Sequence, residues 1–295
     1  MFHRSLFLLL GLMLAGMPAH AWQAPAAPVI NDTAPDSTLD LSALSVLVID
    51  QENGQTLITK NAKLQTPIAS ITKLMTAIVT LDAGLSLDEK VAISSGDIDY
   101  LKGTGSRLSI GSIYTREQLL HLALIASENR AAHALGRSYP GGIDAFIAAM
   151  NRKARSIGME NAQFHDSTGL NSGNVASPND LVRMVKASTQ YPLIHRFSTT
   201  PEHSIYIRGQ HQQFRNTNSL VKNNDWDIAV SKTGFINEAG RCLVMQARIK
   251  SQPVVIVLMD SWGKYTRIGD AQRVKKSLES AFSANRPNKK LPPLA

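Results

Sequence analysis

The sequence predicts an α+β fold: an antiparallel sheet built from both chain ends, with helices packed on it and a mainly helical middle. Two observations predict it. Strand-like apolar runs occur at 44–50 and 56–60 near the start and at 227–232, 242–249 and 254–259 near the end. The residues between them carry apolar positions at helical spacing, and a last helix-like run, 270–282, closes the pattern.

Taken in order, the chain opens with Met1-Phe2-His3-Arg4, an apolar run over 6–17 and Ala19-His20-Ala21. A basic start, a short apolar stretch and a small-x-small site predict a secretory signal over 1–21, cleaved before Trp22. An uncleaved membrane anchor is the lesser reading, because the run is short for a bilayer span. Residues 22–40, rich in Ala, Pro, Asp and Thr, are expected to form a flexible leader. A single domain is expected over 41–284, and a disordered tail over 285–295, where prolines and lysines collect.

Within the domain, Asn53-Gly54 between the first two strands is a hairpin signal. The next element, 70–81, is a helix with Ile71, Leu74, Met75, Ile78, Val79 and Leu81 over much of its surface, so it belongs in a core. Ala83-Gly84 ends it. Thr115-Arg116-Glu117-Gln118 reads as a capping box for a helix through Leu119, Leu120, Leu122 and Ile125. Further helices are expected at 130–137, at 143–156 and from Asn179-Asp180 to residue 187. No internal repeat is visible.

Composition narrows the function. The formal charge of +8 suits anionic polymers, but the basic residues are scattered, with Lys275-Lys276 and Lys289-Lys290 the only adjacent lysines, so nucleic acid is not an expected partner. The single cysteine, Cys242, cannot form an internal disulfide and lies in an apolar run that predicts a buried thiol. The eight histidines lack zinc-peptidase spacing, so neither a metal nor a cofactor is expected.

Three short strings remain: Ser70-Ile71-Thr72-Lys73, Ser127-Glu128-Asn129 and Lys232-Thr233-Gly234. A serine hydroxyl is a poor nucleophile at neutral pH and needs a base beside it. At i,i+3 on a helix, Ser70 and Lys73 share a face, so the lysine amine can reach the hydroxyl. Lys73 can accept a proton only if part of it is neutral, and burial and a second cation such as Lys232 both favour that. Each string alone is weak: Ser-x-x-Lys recurs at Ser219 and Ser261, and Ser-x-Asn at Ser172, Ser177 and Ser283. The order and context carry the signal.

At these residues the chain resembles the penicillin-recognising serine D,D-peptidases, low-molecular-mass penicillin-binding proteins. It is most similar to their small endopeptidase branch, the penicillin-binding protein 7 type. The likeness extends to Pro67-Ile68-Ala69 before Ser70, to Ser167-Thr168-Gly169-Leu170 with Asp180 downstream, and to Asn216-Thr217-Asn218-Ser219-Leu220, over about residues 41–282. The resemblance implies a β-lactamase/transpeptidase-like domain that forms an acyl-enzyme on peptidoglycan stem peptides and is acylated by β-lactam antibiotics.

It further implies Ser70 as nucleophile, Lys73 as base and Ser127 as proton relay to the leaving amine. Asn129 would hold a substrate carbonyl and help orient Lys73. Lys232 and Thr233 would read a carboxylate, and Gly234 would leave room for the substrate backbone. The N–H groups of Ser70 and Phe235 would form the oxyanion hole. Glu128 is expected only to face solvent. Arg241 is open between steering a carboxylate and a surface salt bridge; for Trp262 and Tyr265 packing is the default over rimming a groove. Relatives with a second, membrane-anchoring C-terminal region need more chain after Gly234, so a single periplasmic domain with at most loose wall or membrane association is expected.

Within this reading a D-alanyl-D-alanine endopeptidase acting on D-alanyl–meso-diaminopimelate cross-links leads, and a carboxypeptidase is the alternative with identical motifs. A serine β-lactamase is disfavoured because Glu160, the only glutamate between Arg155 and Asp180, lacks a Glu-x-x-Leu-Asn setting. A non-catalytic β-lactam sensor or wall-binding module is the remaining alternative.

Overall fold

The computed structural model describes residues 39–207 and 209–284; the expected signal, most of the leader and the tail lie outside them. In chain order its elements are β1 (Ala43–Asp50), β2 (Thr56–Lys60), β3 (Thr66–Pro67), α1 (Thr72–Asp82), β4 (Lys90–Ala92) and β5 (Ile113–Thr115). Next come α2 (Arg116–Ile125), α3 (Asn129–Arg137), α4 (Gly142–Ser156), β6 (Val175–Ala176), α5 (Pro178–Ser188) and α6 (Pro192–Thr199). The chain then forms β7 (Glu202–Ile207), β8 (Gln210–Arg215), β9 (Asp227–Ile236), β10 (Gly240–Ile249), β11 (Gln252–Ser261) and α7 (Thr266–Ala284).

The main sheet has five strands in the order β2-β1-β11-β10-β9, every neighbouring pair antiparallel. It therefore joins both chain ends, as expected. Because strand side chains alternate between faces, each inner strand feeds two cores. Leu47, Ile49, Val244, Val255, Val257 and Met259 face the helical body. Val46, Val48, Leu243, Met245, Ile256 and Leu258 pack instead with Ala271, Val274 and Leu278 of α7. A polar pin locks the two ends: the buried carboxylate of Asp270 on α7 accepts the N–H groups of Ser42 (3.1 Å) and Ala43 (2.9 Å) where β1 begins.

α1 runs through the centre of the helical body, buried continuously from Thr72 to Thr80, and Gly84 ends it at φ +63°. The Thr115–Gln118 capping box is present at the start of α2. At α5 the cap is Ser177, two residues before the expected start, because Pro178 at the first helical position has its φ preset for a helix. The elements not foreseen are α6, which also opens on a proline, the β7–β8 hairpin, whose second strand, Gln210–Arg215, is polar enough to hide its alternation, and the strands β3, β4, β5 and β6, each too short to show one. No described helix is long and apolar enough to cross a membrane.

Candidate active site

The three strings come together where the helical body meets β9, an edge strand of the sheet. Ser70 does not open the α-helix as expected: it occupies a short 3-10 turn, Ala69–Ile71, that leads into α1. Ala69 there holds φ +46°, which turns the chain sharply ahead of the serine. Two glycines let other segments approach this turn. A Cβ on Gly169, where φ is +84°, would lie 1.9 Å from Ala69 O. A Cβ on Gly234 would lie 2.9 Å from Ile68 O and 3.3 Å from Ser70 N. A side chain at Gly234 would therefore press on the serine's own turn. The same closeness brings β9 at Gly234 beside Ser70 N.

Lys73 is fully buried in the first turn of α1. Its Nζ donates to Ser70 Oγ (2.8 Å), Asn129 Oδ1 (2.7 Å) and Thr168 O (2.6 Å). Burial pushes its pKa down to about 7, against the opposing pull of Asp166, Glu128 and Asp99. The loop that supplies Thr168 O is tied to α1 twice more, by Thr76 Oγ1 donating to Ser167 O (2.6 Å) and Asn174 Nδ2 to Thr72 Oγ1 (3.0 Å). Asp166 folds that loop by accepting the N–H groups of Thr168, Gly169 and Asn171.

Ser127 sits at the bend between α2 and α3 with φ +59°, a conformation that non-glycine residues hold mostly where the surroundings enforce it. Its Oγ accepts from Lys232 Nζ at 3.0 Å. Lys232 is buried inside β9, and its Nζ also donates to Thr233 O (2.9 Å). Burial, then repulsion from Lys73 and Arg267, holds its pKa well below the ordinary lysine value. Of the two influences expected on Lys73, burial acts on it directly, and the mutual repulsion appears at Lys232. Thr233 Oγ1 donates to Thr217 Oγ1 at 2.6 Å, so the Asn216–Leu220 segment backs the third string.

The third string lies inside β9, which continues to Ile236, beyond the expected end at 232. Buried Lys232 and Thr233 break the apolar pattern without breaking the strand. Glu128 overturns the solvent-facing expectation: it is buried, and its carboxylate accepts Ser106 Oγ (2.7 Å) and Arg107 N (3.3 Å). Phe235 exposes its ring, with the Arg241 guanidinium stacked 4.4 Å from the ring centroid. Trp262 and Tyr265 are largely exposed. Cys242 is buried as expected, and burial pushes its thiol up to about 12, which makes it a poor nucleophile. Among the described residues no cluster of three His, Cys, Asp or Glu side chains could hold a metal.

Comparison with known proteins then decides the family. A family profile described as D-alanyl-D-alanine carboxypeptidase, peptidase S11, matches residues 31–263. The chain belongs to the peptidase S11 family. It is 47% identical over 243 residues to a D-alanyl-D-alanine endopeptidase of Pseudomonas aeruginosa, covering 82% of this chain and 78% of the relative. It is also 44% identical over 281 residues to the D-alanyl-D-alanine endopeptidase of Escherichia coli K12, covering 95% and 89%. Among solved structures it resembles the Streptomyces K15 DD-transpeptidase with a TM-score of 0.76 at 27% identity, covering 84% of this chain and 100% of that one. The penicillin-binding protein fold expected from the sequence is therefore the fold of this S11 peptidase.

Proposed function

We propose that this S11 peptidase is a periplasmic D-alanyl-D-alanine endopeptidase that opens D-alanyl–meso-diaminopimelate cross-links of peptidoglycan through an acyl-enzyme on Ser70. The observation that carries the reading is the buried Lys73 Nζ, 2.8 Å from Ser70 Oγ, with its pKa brought down to about 7. A lysine in that state is partly neutral at working pH and can take the hydroxyl proton as Oγ attacks the D-alanyl carbonyl. The N–H groups of Ser70 and Phe235 stabilise the oxyanion. Ser127, bonded to Lys232, passes a proton to the departing amine, and water then releases the acyl group. Lys232 and Thr233 bind the carboxylate beside the scissile bond.

The endopeptidase choice rests on the relatives at 47% and 44% identity. A carboxypeptidase would use the same residues. Mass analysis of products from dimeric muropeptide and pentapeptide monomer, offered side by side, separates the two: splitting of the dimer is expected, and D-alanine release with the dimer left intact would replace this reading by the carboxypeptidase. Rapid turnover of β-lactams is not expected. Asp166 is committed to three backbone N–H groups, and Glu160 lacks the Glu-x-x-Leu-Asn setting of a glutamate that activates a deacylating water. The basic charge supports loose attachment to the anionic wall or membrane, which salt weakens.

A pH dependence follows from Lys73. The base must be neutral to act, so the acylation rate is expected to climb with pH through about 7 and then level off. Second-order rate constants for penicillin acylation between pH 5 and 9 test this. A flat profile would remove Lys73 from the role of base.

A further inference from the structure

Asn129 uses both ends of its amide: Oδ1 accepts from Lys73, and Nδ2 donates to Thr104 Oγ1 at 2.8 Å. Thr104 lies on the 98–107 loop, and its hydroxyl donates in turn to Asp99 Oδ2 at 2.6 Å. That donation leaves the oxygen lone pairs of Thr104 to face the Asn129 nitrogen. Asp99 also accepts the N–H groups of Leu101, Lys102 and Thr104, each at 2.9 Å, which makes it the organiser of the loop tip. The far end of the loop is anchored to Glu128, one residue before Asn129.

We propose that Thr104, held by Asp99, is a positioning residue that keeps the amide nitrogen of Asn129 turned away from Lys73. The inference rests on Lys73 acting as the base. A charged ammonium selects the amide oxygen by itself. A neutral amine does not, because it carries a lone pair to which an amide N–H can donate. If the Asn129 amide flipped, it would occupy the lone pair that must receive the Ser70 proton. Thr104 removes that option in the one protonation state where Lys73 works, and leaves the second N–H of Asn129 for a substrate carbonyl. The charged groups facing Lys73 are Asp166 from the loop before β6, Glu128 at the start of α3, Asp99 from the 98–107 loop, and Lys232 from β9.

The test compares Thr104→Val, which keeps the shape and removes the hydroxyl, with Thr104→Ser, which restores it. Two readouts are taken on the full chain: benzylpenicillin acylation rates across pH, and the titration of Lys73 by NMR of ¹³C-labelled lysine, assigned with Lys73→Ala. Thr104→Val is expected to lower the high-pH plateau about three- to tenfold, the scale of one net hydrogen bond. It should also move the Lys73 titration to lower pH, since the flipped amide stabilises the neutral amine, and Thr104→Ser should reverse both changes. A Thr104→Val protein with parental plateau and titration overturns the inference. So does a lowered plateau with an unmoved titration, which would mark Thr104 as a plain loop-packing residue. A wild type that takes no penicillin would count against the peptidase reading, and the Lys73 titration in the two variants would still decide for or against Thr104.

Discussion

Lys73→Arg is expected to slow acylation of the proposed nucleophile Ser70 by about 10²–10⁴-fold, as much as loss of a general base does elsewhere. The substitution keeps the positive charge, so it separates a cation that merely orients Ser70 from a base that must give up its proton. Lysine is partly neutral here because burial has brought its pKa down to about 7. A guanidinium stays protonated at any working pH and cannot accept the Ser70 proton. Its planar fork also mismatches three acceptors arranged around a single nitrogen, Ser70 Oγ, Asn129 Oδ1 and Thr168 O. Lys73→Ala should do comparable harm, and Ser70→Ala should abolish covalent labelling. Rates of penicillin labelling, with thermal unfolding as the control for folding, provide the measurement. Parental labelling by folded Lys73→Arg would mean that another group takes the proton.

Features written in local chemistry were legible in the sequence. Strand 56–60 was found to the residue because an Asn-Gly turn bounds it, and the start of α2 because a capping box is a contact between near neighbours in sequence. The meeting of the chain ends in one sheet followed from where the β-branched runs lie. What stayed hidden depends on distant partners. Ala69 and Ser127 hold left-handed backbone without being glycine, so nothing in their identity announces the turn. Thr233 and Gly234 look like a turn until the helical body is packed over β9, and the expected strand stops at Lys232, ahead of them.

The same limit explains the side chains around the site. Glu128 was read as solvent-facing because its partners, Ser106 and Arg107, lie a loop away and carry no motif. Thr104 and Asp99 had no signal either, although Asp99 followed by Thr104 across a glycine-containing stretch has the chemistry of a loop that organises itself. For Thr217 a signal did exist, in the Asn216–Leu220 segment, but its role in backing Thr233 needed the fold. The three motifs thus locate the proposed chemistry, and the residues that hold them in register are found only by contact.

Gly169→Ala is expected to be the most damaging change among residues outside the three strings. The position has φ +84°, where an L side chain costs about 1–2 kcal/mol, and the new Cβ would fall 1.9 Å from Ala69 O, a backbone atom with no rotamer to escape into. Relief requires moving either the 166–171 loop or the Ala69–Ser70 turn. The loop is held by the Asp166 carboxylate, by Lys73 on Thr168 O and by Thr76 on Ser167 O, and the turn is packed against Gly234 from the other side. With neither side free, overpacking adds about 1–3 kcal/mol, for a total loss of about 2–5 kcal/mol in folding stability. The part of the strain that reaches the turn displaces Ser70, and a shift of about 1 Å in a reacting group lowers rates by about 10²-fold. Urea unfolding and penicillin acylation of the same variant separate the two effects: both should fall, and the acylation loss should persist at temperatures where the variant is fully folded. Parental stability together with parental acylation would mean that Gly169 does not press on Ala69, and that the loop carrying Thr168 O is not what fixes the serine turn.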